Sequence, residues 1–229
     1  MKFITQSVLS IIGFCILLSI PPEVFAQMLA PKADTLGALR RLQKLGYSAD
    51  TSRSPKATQN KQAVIAFQKV SGRKRTGVLT KELFDAIAVA RLPLAKDSMN
   101  TAHIEVDLDR QVLFVIDSLN TVRRIVTVST GSGKQFLYPE KGIRTALTPR
   151  GKFKVYYKVK GWKKSVLGEL YDPLYVVGGV AIHGAQSVPA TPASHGCIRI
   201  PLFISDELFT ATPVGTPVVI YGNNPKPKP

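Results

Sequence analysis

One thiol and two imidazoles fall close together near the C-terminal end of the chain: His183, His195 and Cys197. The other cysteine, Cys15, lies in an apolar N-terminal run that reads as a cleavable leader, which makes Cys197 the one thiol expected in the mature chain. A thiol near its free pKa of about 8.5 is mostly protonated at neutral pH, so nucleophilic use needs a base or a positive charge beside it. His195, two residues away, can share a face with Cys197 in an extended segment. His183 ends the apolar alternation Val180-Ala181-Ile182 and therefore comes from a separate strand, from which a base reaches the thiol without strain; geometry favours it. Gly196 allows a tight turn that aims the Gly196 and Cys197 amides at a developing oxyanion. Arg199 lies on the same side as Cys197 in an extended segment, and its planar fork suits either a substrate carboxylate or a surface ion pair. His183, His195 and Cys197 also make a conceivable three-ligand zinc set, but no Cys-x-x-Cys or His-Glu-x-x-His spacing accompanies them, and no metal or cofactor is expected.

The 229 residues are 45% hydrophobic and carry 31 Lys and Arg against 15 Asp and Glu, a net charge of +16. This is a globular composition with a basic skew, long enough for one medium domain and a small one. Lys2, the uncharged run from Val8 to Ile20, Pro21-Pro22 and Ala26 follow the grammar of a secretory signal over residues 1–26. The apolar run is about 13 residues where a bilayer span needs ~20, so cleavage is expected, with a retained anchor as the alternative. Phe14 precedes Cys15 where lipid attachment would want a small residue. The mature protein is expected to be exported, to the periplasm or the outer wall face, with no stable membrane span. A single thiol forms no internal disulfide. The positive excess favours anionic envelope polymers. Nucleic acid is not expected, because the basic residues are scattered, with only Arg73-Lys74-Arg75 clustered and no aromatic-interleaved basic motif.

Two kinds of element must hold these residues. Leu36, Leu39, Leu42 and Leu45 form one apolar helical stripe, which Gly46 ends. Val64, Ile65, Phe67 and Gln68 predict a second helix from Asn60 to about Ser71, and Thr80 caps a third that carries Leu83, Phe84, Ile87 and Ala88. These make a small three-helix bundle over 34–91, followed by a linker at 92–101. The period then changes to two, with strands expected at 104–108, 112–116, 122–128, 152–159, 174–177, 180–182 and 217–221. Many short strands between glycines and prolines predict a mainly β domain over 102–222, sandwich or barrel-like. Residues 223–229, two asparagines followed by alternating Pro and Lys, read as a disordered tail.

Ile182-His183-Gly184 followed by Ser194-His195-Gly196-Cys197-Ile198-Arg199 closely resembles the signature of the L,D-transpeptidase (YkuD-type) catalytic domain. Ile104 to Leu108, Val128-Ser129-Thr130-Gly131 and Thr148-Pro149-Arg150-Gly151-Lys152-Phe153 extend the resemblance across 102–221. It implies that Cys197 is the nucleophile and His183 the base, that the Gly184 carbonyl orients the His183 ring, and that amides from His195 to Cys197 form the oxyanion hole. Ser194 and His195 then shape the loop. The implied reaction is acyl transfer on peptidoglycan stem peptides: a Cys197 thioester forms with loss of D-alanine, and a neighbouring amine takes the acyl group to give a 3,3 cross-link. Water as acceptor would give an L,D-carboxypeptidase, and a wall-binding protein without catalysis is a further alternative. Leu39 to Tyr47, Ala63 to Gln68 and Thr76 to Thr80 resemble a peptidoglycan-binding helical domain, although Ser48 to Lys56 replaces the acidic, glycine-containing loop of that family. The Ala185 to Ala193 insert is shorter than in some L,D-transpeptidases.

Overall fold

The computed structural model describes residues 34–226 apart from 55 and 140; the expected leader with Cys15 and the last three residues of the expected tail lie outside the described residues. Three helices come first: α1 (Thr35–Lys44), α2 (Thr58–Val70) and α3 (Lys81–Val89). The Asp34 side chain caps α1 by accepting from the Gly37 amide at 2.8 Å, and Thr80 caps α3 by accepting from Leu83 at 3.3 Å. Past α1 the chain reverses at Gly46, whose φ of +82° is a left-handed conformation. Helix α2 begins two residues earlier than periodicity predicts and is buried almost all round from Ala63 to Lys69. The reason is its place in a shared core: Leu39, Leu42, Tyr47, Phe67 and Ile87 of the helical part pack with Val112, Phe114, Ile116 and Ile125 of the sheet.

The strands are β1 (His103–Asp107), β2 (Val112–Ile116), β3 (Val122–Thr127), β4 (Gln135–Tyr138), β5 (Gly142–Thr145), β6 (Gly151–Lys154), β7 (Tyr157–Lys158), β8 (Trp162–Ser165), β9 (Gly168–Val177), β10 (Val180–Ala185), β11 (Ile198–Pro201) and β12 (Pro217–Tyr221), with α4 (Leu202–Ala211) before the last. One five-stranded sheet runs β3-β2-β1-β12-β6, the second runs β11-β10-β9-β7 with β8 on β9, and β4 pairs with β5 in a separate hairpin. The sheets enclose a second core, with Ile104, Val106, Leu113 and Val126 facing Leu174, Val176, Ile182 and Ile198. Strand β2 reads Val-Leu-Phe-Val-Ile without alternation because one face meets the helices and the other meets this second core. The chain is thus a mainly β domain preceded by helices.

Several elements differ from the periodicity. The strand predicted over 152–159 is two strands in different sheets: β6 pairs with β12, β7 pairs with β9, and Val155 between them donates its amide to Thr216 O at 2.9 Å. Strands β4, β5, β8 and β11 and helix α4 are additions. Helix α4 starts directly after Pro201, and its mixed apolar sequence buries only Ile204, Ser205 and Leu208, too few to leave a clear helical stripe. In the segment between α3 and β1, the Lys96 and Asp97 amides donate to the Glu105 carboxylate at 3.0 and 2.6 Å. Asn223 and Asn224, grouped with the tail by composition, are tied down: the Asn223 amide donates to Asp109 Oδ1 at 3.0 Å, and the Asn224 amide group brackets the Thr148 backbone with two bonds of 2.9 Å. Among the described residues no helix is long and apolar enough to cross a membrane.

Candidate active site

Strands β10 and β11 are parallel neighbours, with Ile182 opposite Ile198 and His183 opposite Arg199. Ile182 and Ile198 are fully buried in the core between the sheets. Alternation then sends His183 and Arg199, and Cys197 two residues before Arg199, to the other face. There they line one cavity of about 690 Å³ together with Ser194, His195 and Gly196. The residues singled out in sequence therefore converge, and Gly184 lies beneath them as the acceptor for the imidazole.

His183 is buried, and its Nδ1 lies 2.9 Å from the Gly184 carbonyl. A carbonyl only accepts, so Nδ1 carries the proton and Nε2 keeps its lone pair. Burial drives the His183 pKa down to about 4, the Gly184 hydrogen bond opposes this, and the Arg199 charge adds to the lowering. The half-buried Cys197 thiol is pushed up by burial, against the Ala181 amide and Arg199, which favour the thiolate. Its Sγ sits 3.8 Å from the Gly179 carbonyl. At neutral pH the resting site therefore holds a neutral imidazole and a neutral thiol, an arrangement suited to general-base activation rather than a standing ion pair. His195 lines the same cavity and packs against the hairpin, its ring 4.7 Å from that of Phe136.

The turn before Cys197 is held from several sides. The Ser194 hydroxyl donates to the Cys197 carbonyl at 2.6 Å and accepts from the Gly196 amide at 3.0 Å. That second bond revises the sequence expectation for the oxyanion hole: the Gly196 amide is already engaged, whereas no acceptor in the described chain takes the His195 or Cys197 amide. Gly196 has φ +137°, and a Cβ there would meet the Leu147 carbonyl oxygen at 2.9 Å, so no other residue fits. Thr148 Oγ1, fully buried, donates to the Gly196 carbonyl at 2.7 Å and accepts from Gly131 N at 2.9 Å. Thr148→Val keeps the shape but leaves both groups unpaired, at about 1–3 kcal/mol each. Thiol acylation about tenfold slower in a protein that still melts cooperatively is the expected outcome, measured by acylation kinetics beside a thermal scan.

Aromatic residues complete the cavity in places that the thiol and histidines did not signal. Phe136 and Tyr138 of β4 point inward, as do Trp162 of β8 and Tyr175 of β9. The alternation Phe136-x-Tyr138 is the one trace of this wall in the sequence. Among the described residues no group of three or more His, Cys, Asp or Glu side chains is placed to hold a metal ion, so His183, His195 and Cys197 do not assemble as a zinc set.

Comparison with known proteins identifies the family. The family model for the L,D-transpeptidase catalytic domain matches residues 101–220, and a model for a peptidoglycan binding domain matches residues 38–87. A crystal structure of an L,D-transpeptidase from Xylanimonas cellulosilytica is 36% identical and superposes with a TM-score of 0.76, covering 82% of this chain and 93% of that one. An L,D-transpeptidase from Stackebrandtia nassauensis is 22% identical, with a TM-score of 0.48 over 83% of this chain and 92% of that one. No match to a curated protein was found. Since one family model covers more than half of the sequence and a relative more than one-third identical spans most of both chains, this chain belongs to the L,D-transpeptidase family.

Proposed function

We propose that the protein is an exported peptidoglycan L,D-transpeptidase that builds 3,3 cross-links through a thioester on Cys197. The observation that carries this reading is the pairing of a buried imidazole, fixed by the Gly184 carbonyl so that Nε2 is unprotonated, with the Cys197 thiol on the same wall of one cavity. His183 takes the thiol proton as Sγ adds to the carbonyl between the diamino acid and D-alanine of a tetrapeptide stem. The oxyanion meets the His195 and Cys197 amides. Collapse breaks the C–N bond, the His183 proton passes to the departing amine, and D-alanine leaves. The side-chain amine of a second stem then attacks the thioester, gives its proton to His183 and releases the thiol. Arg199, on the same face, takes a stem carboxylate through its fork.

The basic charge of the chain suits an anionic envelope, and the helical part is the candidate contact with the wall. Incubation of the pure protein with disaccharide-tetrapeptide, followed by mass spectrometry, tests the whole reading. Cross-linked dimers one D-alanine lighter than two monomers are expected. Accumulated tripeptide without dimers would instead identify an L,D-carboxypeptidase, and unchanged tetrapeptide would leave a binding protein.

A further inference from the structure

The loop that joins His183 to Cys197 contains Pro189 and Pro192 and, over residues 187–193, no helix or strand of its own, so its shape is set by what it rests against. Part of that support comes from the helical domain. Gln62 Nε2 on α2 donates to the Val188 carbonyl at 3.4 Å. Arg75, just beyond α2, donates from Nη1 to the Ala190 carbonyl at 3.0 Å and from Nη2 to the Asp109 carbonyl at 3.1 Å.

Lys69 is linked to the same loop through intermediate residues. It is only 1% exposed, and its Nζ donates to Gln111 O at 3.0 Å, Thr127 Oγ1 at 2.6 Å and Val128 O at 2.8 Å. The Gln111 side chain in turn donates to Thr130 Oγ1 at 2.7 Å and accepts from Thr130 N at 2.9 Å. Thr130 O then accepts the amides of Ala193 and Ser194, both at 2.9 Å, and the Ser194 hydroxyl closes the turn before Cys197. The bonds from Lys69 through Gln111 to Thr130 are buried, and the last, at Ser194, is partly buried. A lysine buried against neutral acceptors is costly where a methionine would fill the volume, so its three aimed donors, rather than core packing, are what this position supplies.

We infer that Lys69 and Arg75 are positioning residues of the transfer reaction: from the helical domain they hold the 185–196 loop in the shape that aims the His195 and Cys197 amides. The helical domain is then a working part of the active site in addition to any contact it makes with the wall. This inference rests on the acyl-transfer reading of Cys197.

The test compares two reactions of one thiol in the full-length protein. A carbapenem acylates Cys197: Sγ adds to the lactam carbonyl, the ring C–N bond breaks, the thiol proton ends on that nitrogen, and the path runs through an oxyanion. Iodoacetamide alkylates the same Sγ by displacing iodide, with the proton lost to solvent and no oxyanion formed. Arg75→Ala is expected to slow acylation about 10-fold and Lys69→Met about 100-fold, with alkylation altered less than about threefold, because misaimed amides penalise only the first path. Arg75→Lys, which keeps one donor for Ala190, should recover part of the acylation rate. Lys74→Ala, an exposed neighbour, should change neither rate. Acylation of Arg75→Ala at the unmodified rate would overturn the proposal, as would equal losses in both reactions. Should Lys69→Met fail to fold, Arg75→Ala decides. Unmodified protein that is alkylated but never acylated would remove the acyl-transfer reading, and the positioning role with it.

Discussion

Cys197→Ala should release no D-alanine from tetrapeptide and form no covalent adduct with a carbapenem, while keeping the fold. In the proposed path the thiol is the atom that bonds to substrate, so its removal leaves only positioning and the amides, a loss of at least ~10⁴-fold in turnover. The structural cost is small. Cys197 is half-buried, and its thiol makes only a 3.8 Å approach to the Gly179 carbonyl and a contact from the Ala181 amide, so the change in stability should stay below about 1 kcal/mol. Intact-mass analysis and a thermal melt on the same sample separate the two effects. D-Alanine release by the variant at the parent rate would show that the chemistry lies elsewhere.

The second large effect concerns acid. His183 titrates at about 4 in the folded chain against a usual 6.5. In the proposed mechanism the neutral imidazole is the competent form, so the acid limb of kcat/KM should fall near pH 4, and activity should persist where an ordinary histidine is already charged. His183→Gln should cost about 10²- to 10⁴-fold in kcat/KM and abolish that limb. Stability follows the same proton. Between pH 6.5 and 4 the unfolded chain holds a proton on this residue that the folded chain refuses, so the contribution of His183 is whole above pH 6.5 and falls by about 3 kcal/mol as pH drops through that window. Denaturant titrations at pH 7 and pH 4.5 should show this acid loss in the parent and a smaller one in His183→Gln. An acid limb near 6.5 would assign the base to a group other than His183.

Much of this molecule is written locally. The leucine stripe before Gly46, the Thr80 cap and the alternation through β1 specify elements by rules that act over a few residues, and the elements lie close to where those rules put them. Elements whose burial is set by distant neighbours were harder to read. Helix α4 shows little stripe because few of its residues are buried, and β6 and β7 look like one strand until the chain is seen to change sheets at Val155.

The sequence by itself determined which atoms are available for chemistry: one thiol in the domain, two histidines near it, an arginine two residues on and a glycine at the turn. It did so because nucleophiles, bases and left-handed turns need particular side chains at short spacings. The tertiary structure decided how those atoms are deployed. The parallel register of β10 and β11 puts His183 on the face of Cys197, His195 packs at a tilt against Phe136, Ser194 occupies the Gly196 amide, Arg75 bonds the loop, and Lys69 braces Gln111 and the end of β3 behind it. Such contacts depend on where separately formed surfaces pack and on which carbonyls are left to accept, and no local pattern of residues encodes that.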